Sequence, residues 1–164
     1  MHGLGLTISN PLGSPAGTPG QPHQFWRLLS LAANGEAGLE WTRLKFMQDA
    51  VAVSDGKLFW ASSTFSGYNA NKLGTGASPG WASDFSGQAD DEWVTVDLGL
   101  PNIANITAIK LTPHFTSRAP RQFKLLWSDN FVGADNTGDF TEVFDSGDLT
   151  QDWGADVERT IPIT

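Results

Sequence analysis

The stretch that decides the fold runs from residue 81 to residue 128. It reads W-A-S-D-F (81–85), E-W-V-T-V-D-L-G-L-P-N-I (92–103), I-T-A-I-K-L (106–111) and S-R-A-P-R-Q-F-K-L-L-W-S (117–128). Val94, Val96 and Leu98 alternate with Trp93, Thr95 and Asp97, the period of two expected of a half-buried strand. Thr107, Ile109 and Leu111 repeat the pattern, as do Phe123, Leu125 and Trp127.

Working outward, the same signals continue. Phe25 to Leu31 reads as a buried strand and Asn34-Gly35 as a turn. Leu39 to Met47 reads as a second strand, with Leu44 and Phe46 on one face. A helix over Leu28–Ala33 is the alternative, but the Asn-Gly break leaves it too short to be stable alone. Ser54-Asp55-Gly56 turns the chain into a strand over Lys57–Ser62. The final strands are expected over Phe140–Phe144 and Val157–Ile163, after a long polar loop from Ser128 to Asp139. There is no internal repeat.

Composition agrees with a single all-β domain. The 164 residues include eighteen Gly, nine Pro, seven Trp, ten Phe and one Tyr, a mixture that favours strands and turns. Charged residues make up 17%, and the formal net charge is −8. That balance argues against a nucleic-acid partner, which needs clustered Lys and Arg, and against attraction to an anionic membrane. No stretch has the length of a membrane span, and no basic region followed by an apolar run suggests a signal peptide. With no cysteine, the fold uses neither a disulfide nor a thiolate metal site.

Residues 1–23 differ from the rest. They hold five Gly, four Pro and one short apolar patch, Leu4 to Ile8. Pro11, Pro15, Pro19 and Pro22 interrupt regular hydrogen bonding. Alone, such a segment buries too little to offset its ordering entropy. The expectation is an extended assembly arm over 1–23, with Leu4, Leu6, Ile8 and Leu12 as its contacts, followed by a domain over 24–164. A neighbouring subunit is the favoured receptor for the arm, and a tether lying on its own domain is the alternative.

The order Ala61-Ser62-Ser63, Trp81-Ala82-Ser83, Trp93 to Gly99, Arg118-Ala119-Pro120, Phe123 to Ser128 and Phe140 to Val143 resembles the discoidin domain and its galactose-binding-like relatives. The resemblance spans residue 24 onward and implies an eight-stranded antiparallel jelly-roll β-sandwich binding sugars, lipids or proteins through loops at one end. W-R-L-L (26–29) followed by E-W-T-R-L-K-F (40–46) looks like the opening of discoidin-like modules in bacteriophage virion and tail proteins. Lack of cysteine fits a bacterial or viral setting better than the secreted animal domains. The family's structural calcium would fall at Asn69 to Gly76, where Leu73-Gly74 stands in place of the expected Asp. Asn71 and main-chain carbonyls leave only a weak site. No other metal and no cofactor are expected.

Catalytic patterns are weak. Gly76-Ala77-Ser78-Pro79-Gly80 matches G-x-S-x-G, but Pro79 has no N–H to give an oxyanion hole. His2, His23 and His114 form no metal-binding spacing. The acids at 84, 90, 91 and 92, and at 135, 139, 145 and 148, read as solvated loop carboxylates, with paired glycosidase acids as the alternative. Loop aromatics can stack on a sugar face while neighbouring polar groups bond its hydroxyls. Tyr68, Asp84, Phe85, His114, Phe115, Arg118 and Trp153 are therefore the candidate ligand residues, with a structural role for Arg118 equally open. Trp81, Trp93 and Trp127 are expected in the core, and Phe131 in a loop.

The expected function is a non-catalytic virion module: a tail, baseplate or capsid-surface component, assembled in the host cytoplasm as a stand-alone product. Its partners would be neighbouring virion proteins or further copies of itself, and also a cell-surface glycan. A soluble bacterial lectin is the alternative, and a jelly-roll enzyme a weaker third.

Overall fold

A computed structural model describes residues 21–77, 79–84, 91–133, 135–149 and 153–164. Its ten strands are β1 (Phe25–Ala33), β2 (Glu40–Gln48), β3 (Val51–Ala52), β4 (Leu58–Ala61), β5 (Trp81–Ala82), β6 (Trp93–Asp97), β7 (Ala108–Pro113), β8 (Pro120–Ser128), β9 (Thr141–Asp145) and β10 (Arg159–Pro162). Stretches read as strands from the sequence overlap β1, β2, β4 and β6 to β10, but the described residues carry ten strands where eight were expected. The additional two, β3 and β5, are two residues long and leave no periodicity to read. No helix among the described residues is long and apolar enough to cross a membrane.

The strands form two five-stranded antiparallel sheets, ordered β4-β6-β1-β8-β9 and β10-β7-β2-β3, with β5 also on β2. The sheets face each other because each strand carries large apolar residues at every second position. From one sheet come Trp26, Leu28, Phe59, Val94, Val96, Phe123 and Leu125. The other contributes Leu44, Phe46, Ile109, Leu111 and Ile161, all buried in one core. β1 runs as a strand through Ala33, so the helical alternative fails: its pairing with both β6 and β8 outweighs local propensity.

One sheet is buried over part of its outer face as well. Phe25, Trp93 and Phe131 form a second cluster on its outer side, joined by Leu29, Trp60 and Phe140. Here the half-buried reading of β6 needs correction, since Trp93 is 8% exposed and Thr95 fully buried. Residues 129–133 and 135–140 fold across that face. Gly133 lies so close to the Trp60 indole that an added Cβ would sit 2.3 Å from Cε2. Phe131, expected in a loop, does lie in one but is buried by this fold-over.

Register defines two ends. Phe25 pairs with Asp97 and Ser128, and Ala33 with Pro120. Met47 pairs with Ala108, and Trp41 with Pro113 and Trp81. At the near end, where β1 begins, lie residues 49–50, 53–57, 98–107, 129–133 and 135–140. The far end gathers 34–39, 62–77, 79–80, 83–84, 91–92, 114–119, 146–149 and 153–158. His23, assigned to the arm from sequence, belongs structurally to the sandwich. It is buried, exchanges main-chain hydrogen bonds with Ala104, and its carbonyl accepts from Trp26 Nε1. Leu4, Leu6, Ile8 and Leu12 lie outside the described residues.

Candidate functional site

Strand direction brings Tyr68, Asp84, His114, Phe115, Arg118 and Trp153 to connections at the far end; Phe85 lies outside the described residues. Closer inspection separates them. His114, Phe115 and Arg118 leave β7 together, and the single 3-10 turn Thr116–Arg118 folds Arg118 back over the Phe115 ring, 4.9 Å from its centroid. The His114 ring lies 4.3 Å from that of Phe115, and its Nδ1 is 3.1 Å from Asp156 Oδ1. Asp156 is itself held by its N–H on the Pro113 carbonyl.

Arg118 is the hub. Its Nε donates to Glu36 at 2.8 Å and its NH1 to Glu40. Ser117 Oγ also donates to Glu36. Main-chain bonds from Asn34 to Ala119 and from Glu36 to Ser117 stitch the two connections together. The Glu36 hydrogen bond, helped by Glu40, raises the Arg118 guanidinium above its ordinary range, and the same bond, with that from Ser117, holds Glu36 below the usual carboxylate value. Glu40 opens β2 and is only 5% exposed. Sequence reading passed over it, although a carboxylate between Leu39 and Trp41 in an apolar strand is a signal, because a buried acid requires a partner.

Glu40, Thr42, Tyr68, Pro79, Gly80 and His114 line a cavity of about 40 Å³. One water needs roughly 10–15 Å³ of such space, so the notch takes a hydroxyl or a few waters and not a whole sugar ring. Exposed rings flank it: Phe115 is 44% exposed, and Phe65, 43% exposed, leans on Tyr68 with centroids 5.8 Å apart. Phe65 was another residue missed in the sequence, where S-S-T-F-S-G-Y carries only loop chemistry.

Two candidates stand apart. Trp153 is not an exposed ring: it is 5% exposed, packs into the main core and carries Arg159 over its face at 4.9 Å. Asp84 is exposed, with its N–H on Ser63 Oγ. The loop acids serve local structure: Glu92 accepts from Ser62 and Ser63, Asp139 from Asn130, Asp145 from Gln122 and Asp148 from Arg121.

At the segment matching the family's calcium turn, Asn69 Oδ1 accepts from the Asn71 N–H, and Asn71 Oδ1 from the Phe59 N–H. These oxygens shape a 3-10 turn, and with no carboxylate present the donor set fits calcium poorly. Ser78 of the G-x-S-x-G pattern lies outside the described residues. No protein-family model matches the chain, and no match was found among curated proteins or solved structures.

Proposed function

We propose that this chain is a non-catalytic binding module of a virus particle, a bacteriophage tail, baseplate or capsid-surface component on a galactose-binding-like jelly roll. In this reading residues 1–20 fasten it to a neighbour and the far-end loops meet a carbohydrate. The observation that carries it is polarity: the chain enters β1 at the near end, while Tyr68, His114, Phe115 and Arg118 sit on connections at the other. A module fastened by its N-terminal segment therefore presents those loops outward. The chemistry suits a glycan, since Phe115 and Phe65 offer flat apolar faces and the notch beside Glu40, Tyr68 and His114 accepts a hydroxyl.

The test has two arms. Removing residues 1–20, which spares His23, should abolish incorporation into particles and leave glycan binding intact. Phe115→Ala and His114→Ala should each weaken glycan-array binding at least tenfold while incorporation persists. Glycan binding without particle association would favour the lectin alternative.

A further inference from the structure

The far-end notch is lined by Glu40, Thr42, Tyr68, Pro79, Gly80 and His114. What its polar side chains can still offer decides which guest it suits. The Glu40 side chain is only 6% exposed. Its Oε2 accepts from Arg118 NH1, while Oε1 is hydrogen-bonded to no described residue. A buried carboxylate oxygen without a donor is costly until a guest supplies one.

The neighbouring groups are acceptors too. Thr42 Oγ1 gives its one proton to the Thr112 carbonyl at 3.2 Å and keeps only lone pairs. His114 Nδ1 faces Asp156 Oδ1 at 3.1 Å. A carboxylate only accepts, so Nδ1 carries the proton and the neutral ring leaves Nε2 as an acceptor. Pro79 has no N–H. Of the four polar side chains in the lining, only Tyr68 has a proton left to donate.

Such a lining favours a guest made of donors. A hydroxyl brings lone pairs along with its proton, whereas a primary ammonium brings three donors and no acceptor. An N-acetyl group would set a carbonyl oxygen among the acceptors. Charge agrees, because Glu36, Glu40 and Asp156 place three carboxylates in a cluster whose one guanidinium is Arg118. So does size, since about 40 Å³ holds a water-sized group and no ring. The exposed faces of Phe115 and Phe65 attract a cation and can also cover the apolar side of a sugar.

We infer that the notch seats the free amino group of an amino sugar, so that the glycan taken by the far-end loops is a de-N-acetylated one. The inference rests on the glycan-binding part of the proposed function and names the class of sugar.

Isothermal titration calorimetry on the full chain tests it with three probes: a glucosamine trisaccharide, its N-acetylated counterpart, and a blocked trilysine matched in ammonium groups. The glucosamine form should bind at least about tenfold more tightly than either of the others, the worth of one hydrogen bond to a charged group. Glu40→Gln, which puts an amide donor into the notch, should erase the preference over the acetylated form. Glu40 also holds Arg118, so Thr42→Val serves as a milder removal of an acceptor and should weaken the glucosamine form alone. Equal binding of the two sugars, or preference for the acetylated one, overturns the inference and leaves the glycan reading standing. Trilysine binding as tightly as glucosamine overturns it too, because general attraction to a chain of net charge −8 would then be the cause. No binding of the glucosamine form also overturns it, and a blank glycan array besides would take the glycan reading with it.

Discussion

The imidazole of His23 lies flat on the indole of Trp127, with centroids 3.5 Å apart and planes within 7°. Its Nδ1 is 3.0 Å from Asp129 Oδ2, and Trp26 meets its edge. This stack pins the start of the sandwich. His23→Ala is expected to cost about 1 kcal/mol for the ring contact, lowering Tm by roughly 2–4 °C for a chain of this size. Differential scanning calorimetry of the variant checks it.

Arg27 sits between aromatic rings, its guanidinium 3.9 Å from the Trp93 centroid and 3.7 Å from that of Phe140. Nε donates to Thr95 and NH2 to Asn136, and no carboxylate is in ion-pair range among the described residues. Burial pushes the guanidinium down to about 10, so it stays charged at neutral pH, and stacking offsets the desolvation. Arg27→Ala should cost about 2 kcal/mol. Arg27→Lys should recover less than half, because an ammonium cannot lie flat between two rings. Denaturant titration reads both.

Gly80 backs onto β2, where an added Cβ would stand 2.0 Å from the Trp41 carbonyl oxygen. Backbone cannot yield as a flexible side chain can. Gly80→Ala should therefore cost about 3 kcal/mol, the upper range for overpacking, and disturb the Trp41–Trp81 contact at 4.8 Å. Near-ultraviolet circular dichroism would register that loss. An unchanged spectrum and stability would show that β5 is held by other means.

Lys45 and Lys110 are directly opposite on β2 and β7, and Glu158 bonds both. The Lys45 hydrogen bond, then that of Lys110, holds Glu158 below its usual 4.5. A carboxylate depressed in the folded state stabilises above its unfolded value and loses that contribution as pH falls through the folded one. Wild-type stability should drop more than that of Glu158→Gln between pH 6 and pH 3. The partly exposed group limits the difference to about 0.5–1 kcal/mol. Urea unfolding at the two pH values measures it.

The strands were legible because each pairs apolar residues at period two, as Leu44 with Phe46 or Ile109 with Leu111. What stayed hidden depends on contacts distant in sequence. Nothing local says that residues 129–133 and 135–140 cover Trp93 and Thr95, or that Trp153 turns inward from a loop. His23 looked like arm because prolines precede it; its stack on Trp127 spans over a hundred positions. At the candidate site, His114, Phe115 and Arg118 were readable as polar and aromatic loop chemistry. Glu40 and Glu36, which hold Arg118 in place, were not, because only the meeting of two connections gives them that work.

The opposed ends also govern how the domain bears mechanical force. A pull between residue 23 and the far-end loops runs along the axis of β1, which is hydrogen-bonded on both sides by β6 and β8. Such a pull shears many bonds at once. A pull between the two ends of the described chain meets β10, an edge strand paired among the described residues with β7 alone, through Arg159–Pro162, and peels it one pair at a time. The sandwich thus resists tension along β1 and yields more readily when pulled by the two ends of the described chain.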